Sequence, residues 1–505
     1  MSAENGMTSG REGEVDRGVV APVWGFLRVR WWAVLATSIV LLLPCFWHER
    51  IVSGDLASHV YNAWLAQLIE KGQAPGLYLA SRWNNVVVDV ALARLGNWLG
   101  LAAAEKIVVG ACVLIFFWGA FALTSAVAGR ARFLVPCLAM LTYGWTFNIG
   151  FFNYYLSLGL GFFATAIFWR GRGWELWAGI IFAGLTLLAH PQGFAWLVGS
   201  VGYIFIWRRL RGWWKLALPV AAVAAIVGVH IYTFSHFDAS DILSSFGSEI
   251  YTGADQISLY TPRTHVLGLI ALGFGILCCG AEAVRRVREH ESWAELRLPF
   301  EIYAVAVFAT YVLPDDLHVP MYSAWIGAVT LRLTTVSAMW GLCILAQVRP
   351  RAWQALGFWV VAACSFTFLY QDTRDLSRME RDARQLVGGL PYGQRIMATV
   401  WAAPESRLPY IVHLIDRACV GRCFSYQNYE PPSGQFRVRV AAGGSPLVTS
   451  SSEDAQSMEA GEYEVQDKDL PVMQIYQCDE SDLTKLCIRR LEAGEINGAV
   501  GYQPR

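Results

Sequence analysis

The chain has 505 residues, of which 55% are hydrophobic and only 16% charged, and its 40 Lys and Arg are balanced by 40 Asp and Glu. Soluble domains carry about 25% charged residues, so the composition excludes an ordinary soluble protein. A net charge of zero removes the basic field that a nucleic-acid partner requires. The composition is that of a membrane protein.

Residues 1–30 are polar, rich in Gly, Glu and Arg, and read as a disordered segment ending in Arg28 and Arg30. Charge-free apolar runs then follow, each near the roughly 17–25 residues needed to cross a bilayer. They lie near 31–47, 107–129, 133–149, 152–169, 174–189, 192–207, 213–235, 264–284, 298–313, 333–348 and 352–370, which predicts about 11 transmembrane helices in residues 31–370. No small-residue cleavage site follows the first run, so it reads as a retained span. Lys and Arg crowd one set of loops, among them Arg28, Arg30, Arg130, Arg208, Arg285 and Arg349, and thin out on the other side. The positive-inside rule then predicts a cytoplasmic N-terminus, with the first long loop and the tail facing outward from the inner (cytoplasmic) membrane.

That first outer loop, residues 48–102, holds the stretch around which the chain is organised: Ser53, Gly54, Asp55, Leu56, Ala57, Ser58 and His59, then Tyr61 and Trp64. Asp55 and His59 are four apart, one helical turn, which predicts a carboxylate and an imidazole on one face. Tyr61, Trp64, Leu65, Leu68 and Ile69 continue as an amphipathic stripe suited to a membrane interface. Asp55 is equally well placed as a helix N-cap. Arg82, Asn85 and Asp89 lead into a second amphipathic stretch. Further outward polar groups are Asn153, His190 and Gln192 at helix ends, Arg263 in a later loop, Asp315 and Asp316 in an expected solvated turn, and Arg332 opening an apolar run. His190 as a helix-end hydrogen-bonder and Arg332 as a snorkelling side chain are the structural alternatives to function. Polar groups at membrane depth favour function.

Residues 371–505 change character. Strand patterns over Arg395–Val400 and Phe436–Val440, with a polar loop expected from Gly443 to Asp469, predict a small extracytoplasmic α/β domain. Of 11 cysteines, four lie in this tail. In an oxidising compartment an even count reads as disulfides. Of three connectivities, Cys419–Cys423 with Cys478–Cys487 is preferred, and zinc is the rival that fits common ligand spacings poorly.

With these features in place, the chain resembles the GT-C integral-membrane glycosyltransferases, a group that includes protein O-mannosyltransferases and lipid-A aminoarabinose transferases. The resemblance rests on Gly54-Asp55 with His59 and Tyr61 just after the first span, on the many spans, and on an appended tail. It implies an inverting glycosyltransferase that moves a sugar from a polyprenyl-phosphate donor to a saccharide, lipid or protein acceptor at the outer face. In that scheme Asp55 is the base and His59 orients it or the acceptor. Arg332, Arg263 or Arg82 meets the phosphate, with Asn85, Asn153, His190 and Gln192 as further substrate contacts. Position 56 is Leu where many members carry a second acid, so a divalent cation on Asp55 is left open. Other classes that fit the composition are a flippase for a lipid-linked saccharide and a non-catalytic envelope-assembly protein. Few charges inside the spans and no internal repeat weigh against the flippase.

Overall fold

The computed structural model describes residues 20–129, 132–243, 250–318, 325–403, 405–408, 411, 413–479 and 481–498. The expected disordered segment 1–30 therefore lies largely outside the described residues. The protein is mostly helical with a small sheet region. Among the described residues four helices are long and apolar enough to cross a membrane: Leu101–Ala128, Trp214–His236, Pro262–Arg288 and Ala352–Gly388. This is the character of a helical membrane protein.

The number of such helices is four and not about 11. Hydropathy counts apolar residues without asking whether they form one continuous rod. The run 133–149 is broken into Val135–Thr142 and Trp145–Ile149, with Gly144 between them and Gly150 closing the second in left-handed conformation. The runs near 31–47, 174–189 and 333–348 become the shorter apolar helices Arg30–Phe46, Glu175–Ala189 and Val329–Leu345. The runs near 152–169, 192–207 and 298–313 form the 19-residue helices Phe152–Arg170, Pro191–Arg209 and Ala294–Val312, which fall short in apolar character and not in length. Phe116 of Leu101–Ala128 is buried and stacked on Tyr155 of Phe152–Arg170 at 4.3 Å between ring centroids. Leu101–Ala128 and Phe152–Arg170 approach so closely that a Cβ on Gly119 would sit 2.2 Å from the Gly159 carbonyl oxygen. Small residues at such crossings let membrane helices pack backbone to backbone.

The composition change at residue 371 is not a break in structure. Ala352–Gly388 is one helix of 37 residues that carries the chain from apolar surroundings into the tail. Beyond it a four-stranded sheet is ordered Phe424–Ser425, Arg395–Thr399, Val472–Gln477, Leu486–Leu491. Its first three strands are parallel and the last antiparallel. The strand pattern at 436–440 yields Val438–Val440, which joins a different partner: it pairs antiparallel with Leu77–Leu79 of the first loop. Residues 443–469, expected as loop, include the helix Ser452–Ala460, started by Ser451 accepting from the Asp454 amide. Disulfides link Cys419 to Cys423 and Cys478 to Cys487. Among the described residues no three His, Cys, Asp or Glu side chains gather in a metal-ligating arrangement.

The tail is bolted to the helical body. Arg417 donates to both carboxylate oxygens of Glu380 (2.9 and 2.6 Å), to Glu105 at 3.0 Å and to the Ile51 carbonyl at 2.9 Å. Tyr61 accepts from the Ser425 amide, and Asn428 donates to Asn62. The first loop and the tail therefore lie on the same side of any membrane the helices cross.

Candidate functional site

The stretch Ser53–Asp55 is strapped to the turn Phe147–Ile149. Ser53 Oγ donates to the Phe147 carbonyl, and the Gly54 and Asp55 amides donate to Asn148 and Ile149. The approach leaves no room for side chains: a Cβ on Gly54 would lie 2.6 Å from the Ile149 oxygen, and one on Gly150 would lie 2.5 Å from the Asp55 nitrogen. Gly150 also has a φ of 98°, in the left-handed region. Gly150→Ala is expected to lower stability by about 1–3 kcal/mol and to displace Asp55. Thermal unfolding of the full-length protein checks the first effect, and a wild-type melting curve would contradict it.

The helix begins at Leu56, with Asp55 at its N-cap but with no capping bond from the Asp55 side chain. The carboxylate is not used as a cap, and at 24% exposure it remains reachable. It faces His413 Nε2 at 3.7 Å. His413 comes from the tail, its Nδ1 lies 3.1 Å from Asp416, and its ring packs on Tyr429 with centroids 5.1 Å apart. Burial alone would discharge this imidazole, but Asp416 overrides it and holds the His413 pKa up to about 10.

Of the two roles expected for His59, orienting Asp55 or orienting the acceptor, the contact it makes does not serve the first. Its Nδ1 lies 2.6 Å from Asp89, whose other oxygen accepts from Asn153 Nδ2 at 2.8 Å. Burial opposes charge here too, and Asp89 wins, raising His59 to about 9. The i, i+4 spacing places His59 beside Asp55 but does not choose its partner. Beneath this pair, Ser58 Oγ donates to Glu430 at 2.9 Å. Burial pushes Glu430 up to about 7 and Glu459 likewise, and both feel the His413 charge.

On the membrane side, Arg332 donates to Gln192 at 3.0 Å and lies over the Phe151 ring at 4.1 Å. Its Nε is buried without a partner among the described residues. Arg332 lies within electrostatic reach of Asp55. Asp315, expected in a solvated turn, is buried and accepts from the Thr330 amide and hydroxyl, fixing the start of the helix that carries Arg332. His190 accepts from the Gln192 amide and meets Tyr154 edge-on at 5.4 Å. Burial and Arg332 push His190 down to about 3, so it is neutral.

Asp55, His59, Asn153, His190, Gln192 and Arg332 thus belong to one connected region. Asn85 joins it through backbone alone, its carbonyl accepting from Asn153. Two expected residues stand elsewhere. Arg82 is exposed beside Arg439. Arg263 pairs with Asp372, donates to Gln371 and lies over Phe368, joining two long helices. Charge singles out both in the sequence, and charge alone does not report partners. The residues missed are His413, Asp416, Tyr429, Glu430 and Glu459. One signal was present: His413 is the sole histidine after residue 371. Cationic His413 and Arg332 around Asp55 do not fit a divalent cation; they fit an anionic ligand.

Both histidines hold protons in the folded protein that the unfolded chain releases above about pH 6.5. Their stabilisation is complete below that value and fades as pH rises through about 9 for His59 and about 10 for His413. Glu430 and Glu459 act with the same sign, since burial keeps them protonated up to about pH 7. Asp89 is held below the usual carboxylate range despite its burial, so its contribution is lost only in strong acid. The expected result is a melting temperature that falls continuously from pH 5.5 to pH 9.5. A flat or rising profile would contradict the assignment of these charges.

Compared with known protein families and with curated proteins, the chain matches none.

Proposed function

We propose that the chain is a membrane glycosyltransferase of the GT-C kind, moving a sugar from a polyprenyl-phosphate donor to an acceptor hydroxyl on the outer face of the inner membrane. The observation that carries this reading is a reachable carboxylate, Asp55, that faces cationic His413 at 3.7 Å with Arg332 within electrostatic reach, where the tail meets the helices. In the reaction the acceptor oxygen attacks the anomeric carbon while Asp55 takes its proton. The bond from that carbon to the phosphate oxygen breaks, and the electron pair leaves with the lipid phosphate. A single displacement inverts the anomeric centre. Proton removal of this kind contributes about 10²–10⁴-fold. The fixed positive charges of His413 and Arg332 stabilise the charge that develops on the leaving phosphate. Orientation follows the Lys and Arg partition, with the N-terminus cytoplasmic and the tail periplasmic.

Purified full-length protein, given radiolabelled polyprenyl-phosphate sugars and an envelope extract as acceptor, is expected to move label out of the lipid fraction. Label that crosses a vesicle membrane with no new glycosidic bond would select a flippase instead. If every donor tested keeps its label and its sidedness, a non-catalytic envelope role replaces both.

A further inference from the structure

A second feature is a chamber that runs from residues 252–257, where Asp255 meets Arg407 of the tail, toward the opposite ends of the helices. A cavity of about 1150 Å³ opens between the helices Pro262–Arg288, Ala294–Val312, Val329–Leu345 and Ala352–Gly388. It exceeds the roughly 300–1,000 Å³ of small-molecule sites. Its body is apolar, walled by residues such as Leu272, Ile276, Phe300, Leu342, Ile344 and Val361. On Pro262–Arg288 the end at Arg263 is tied to Asp372, whereas the cavity wall runs to Glu282 and Ala283. At 1.5 Å per residue those ends are roughly 28 Å apart, about the thickness of a bilayer core.

The far end of the cavity is polar and short of acceptors. Lys215 and Arg297 both line it. Lys215 Nζ rests 3.5 Å from the Trp207 ring centroid. Arg297 gives its Nε to Glu301 at 2.6 Å, while its Nη2 is buried with no partner among the described residues, as is Trp207 Nε1. Glu282, the acid in the lining, is consumed by Arg285 and Arg286 and accepts from the Arg349 amide. Trp213, Trp214 and Trp293 are exposed around this end. Trp with Lys and Arg in a band marks a membrane–water interface. Lys215, the spare Nη2 of the Glu301-paired Arg297 and the orphaned Trp207 Nε1, at the end of an apolar chamber, complement an anionic headgroup on a hydrocarbon tail.

We propose that this cavity binds an anionic phospholipid of the leaflet opposite Asp55, its phosphate against Lys215 and Arg297 and its acyl chains in the apolar body. The inference is independent of sugar transfer. Native mass spectrometry of the full-length protein in detergent, with phosphatidylglycerol or phosphatidylcholine added, tests it. The expected result is retention of phosphatidylglycerol over phosphatidylcholine, reduced at least about tenfold by Lys215→Ala with Arg297→Gln, as the loss of charge-assisted hydrogen bonds implies. Gly280→Leu provides a second variant: Gly280 lines the cavity and a Cβ there meets nothing within 4 Å, so the added side chain takes up part of the space an acyl chain would use. It is expected to raise the melting temperature of the lipid-free protein and to reduce retention. Equal retention of the two lipids, release of phosphatidylglycerol by inorganic phosphate, or unchanged retention in Gly280→Leu would each overturn the proposal.

Discussion

Asp55→Asn is expected to lower sugar transfer by about 10²–10⁴-fold while leaving the melting temperature close to that of the wild type. The two halves of this result come from different observations. The Asp55 side chain makes no capping bond, and the strap that holds the loop runs through the backbone of Gly54 and Asp55. An amide keeps that shape but cannot take a proton from an acceptor hydroxyl. His413→Gln separates base from charge: it removes the cation that faces Asp55 at 3.7 Å and leaves the carboxylate in place. Transfer should then fall less than in Asp55→Asn, with the pH optimum displaced. Wild-type turnover by Asp55→Asn would end the catalytic assignment.

Arg417→Met is expected to have the largest effect on stability. Arg417, Glu105 and Glu380 are almost completely buried, and Arg417 is the cation that faces both acids. Breaking a buried pair by removing one partner costs about 3–5 kcal/mol, because the remaining charge is left uncompensated. Here two carboxylates are stranded, partly relieved by Arg50 at 3.4 Å from Glu105. The consequence reaches the site, since Arg417 lies on Leu414–Cys419, one residue after Asp416, which holds His413. A large fall in melting temperature together with new protease cleavage in the tail is the expected outcome. Glu380→Gln placed on top of Arg417→Met should recover part of the loss, because a neutral amide is cheaper to bury than a carboxylate. If Arg417→Met melts with the wild type, the tail is held by other contacts.

Much of the site was legible because polar residues interrupt apolar runs at their ends. Asp55, Asn153, His190, Gln192 and Arg332 stand out for that reason, and they fall in one region. Their partners were not legible. His59 was matched to Asp55 by a spacing of four, yet Asp89 from the next helix offers a carboxylate 2.6 Å away, and the shorter contact wins. Arg263 and Arg332 look alike in sequence. One is neutralised by Asp372, and the other keeps a buried nitrogen without a partner among the described residues.

The sequence by itself determined the membrane character, the helical class, the acid that follows the first apolar segment and the strand-forming stretches of residues 371–505. Each is a matter of local composition and period, which a chain carries wherever it folds. Only the tertiary structure decided how many apolar runs become long helices, because breaks such as those at Gly144 and Gly150 are invisible to hydropathy. It alone brought the tail onto the first loop, joining Ser58 to Glu430 across 372 residues and setting His413 against Asp55. Charges acquire partners through distance in space, and a linear sequence specifies that distance only after it has folded.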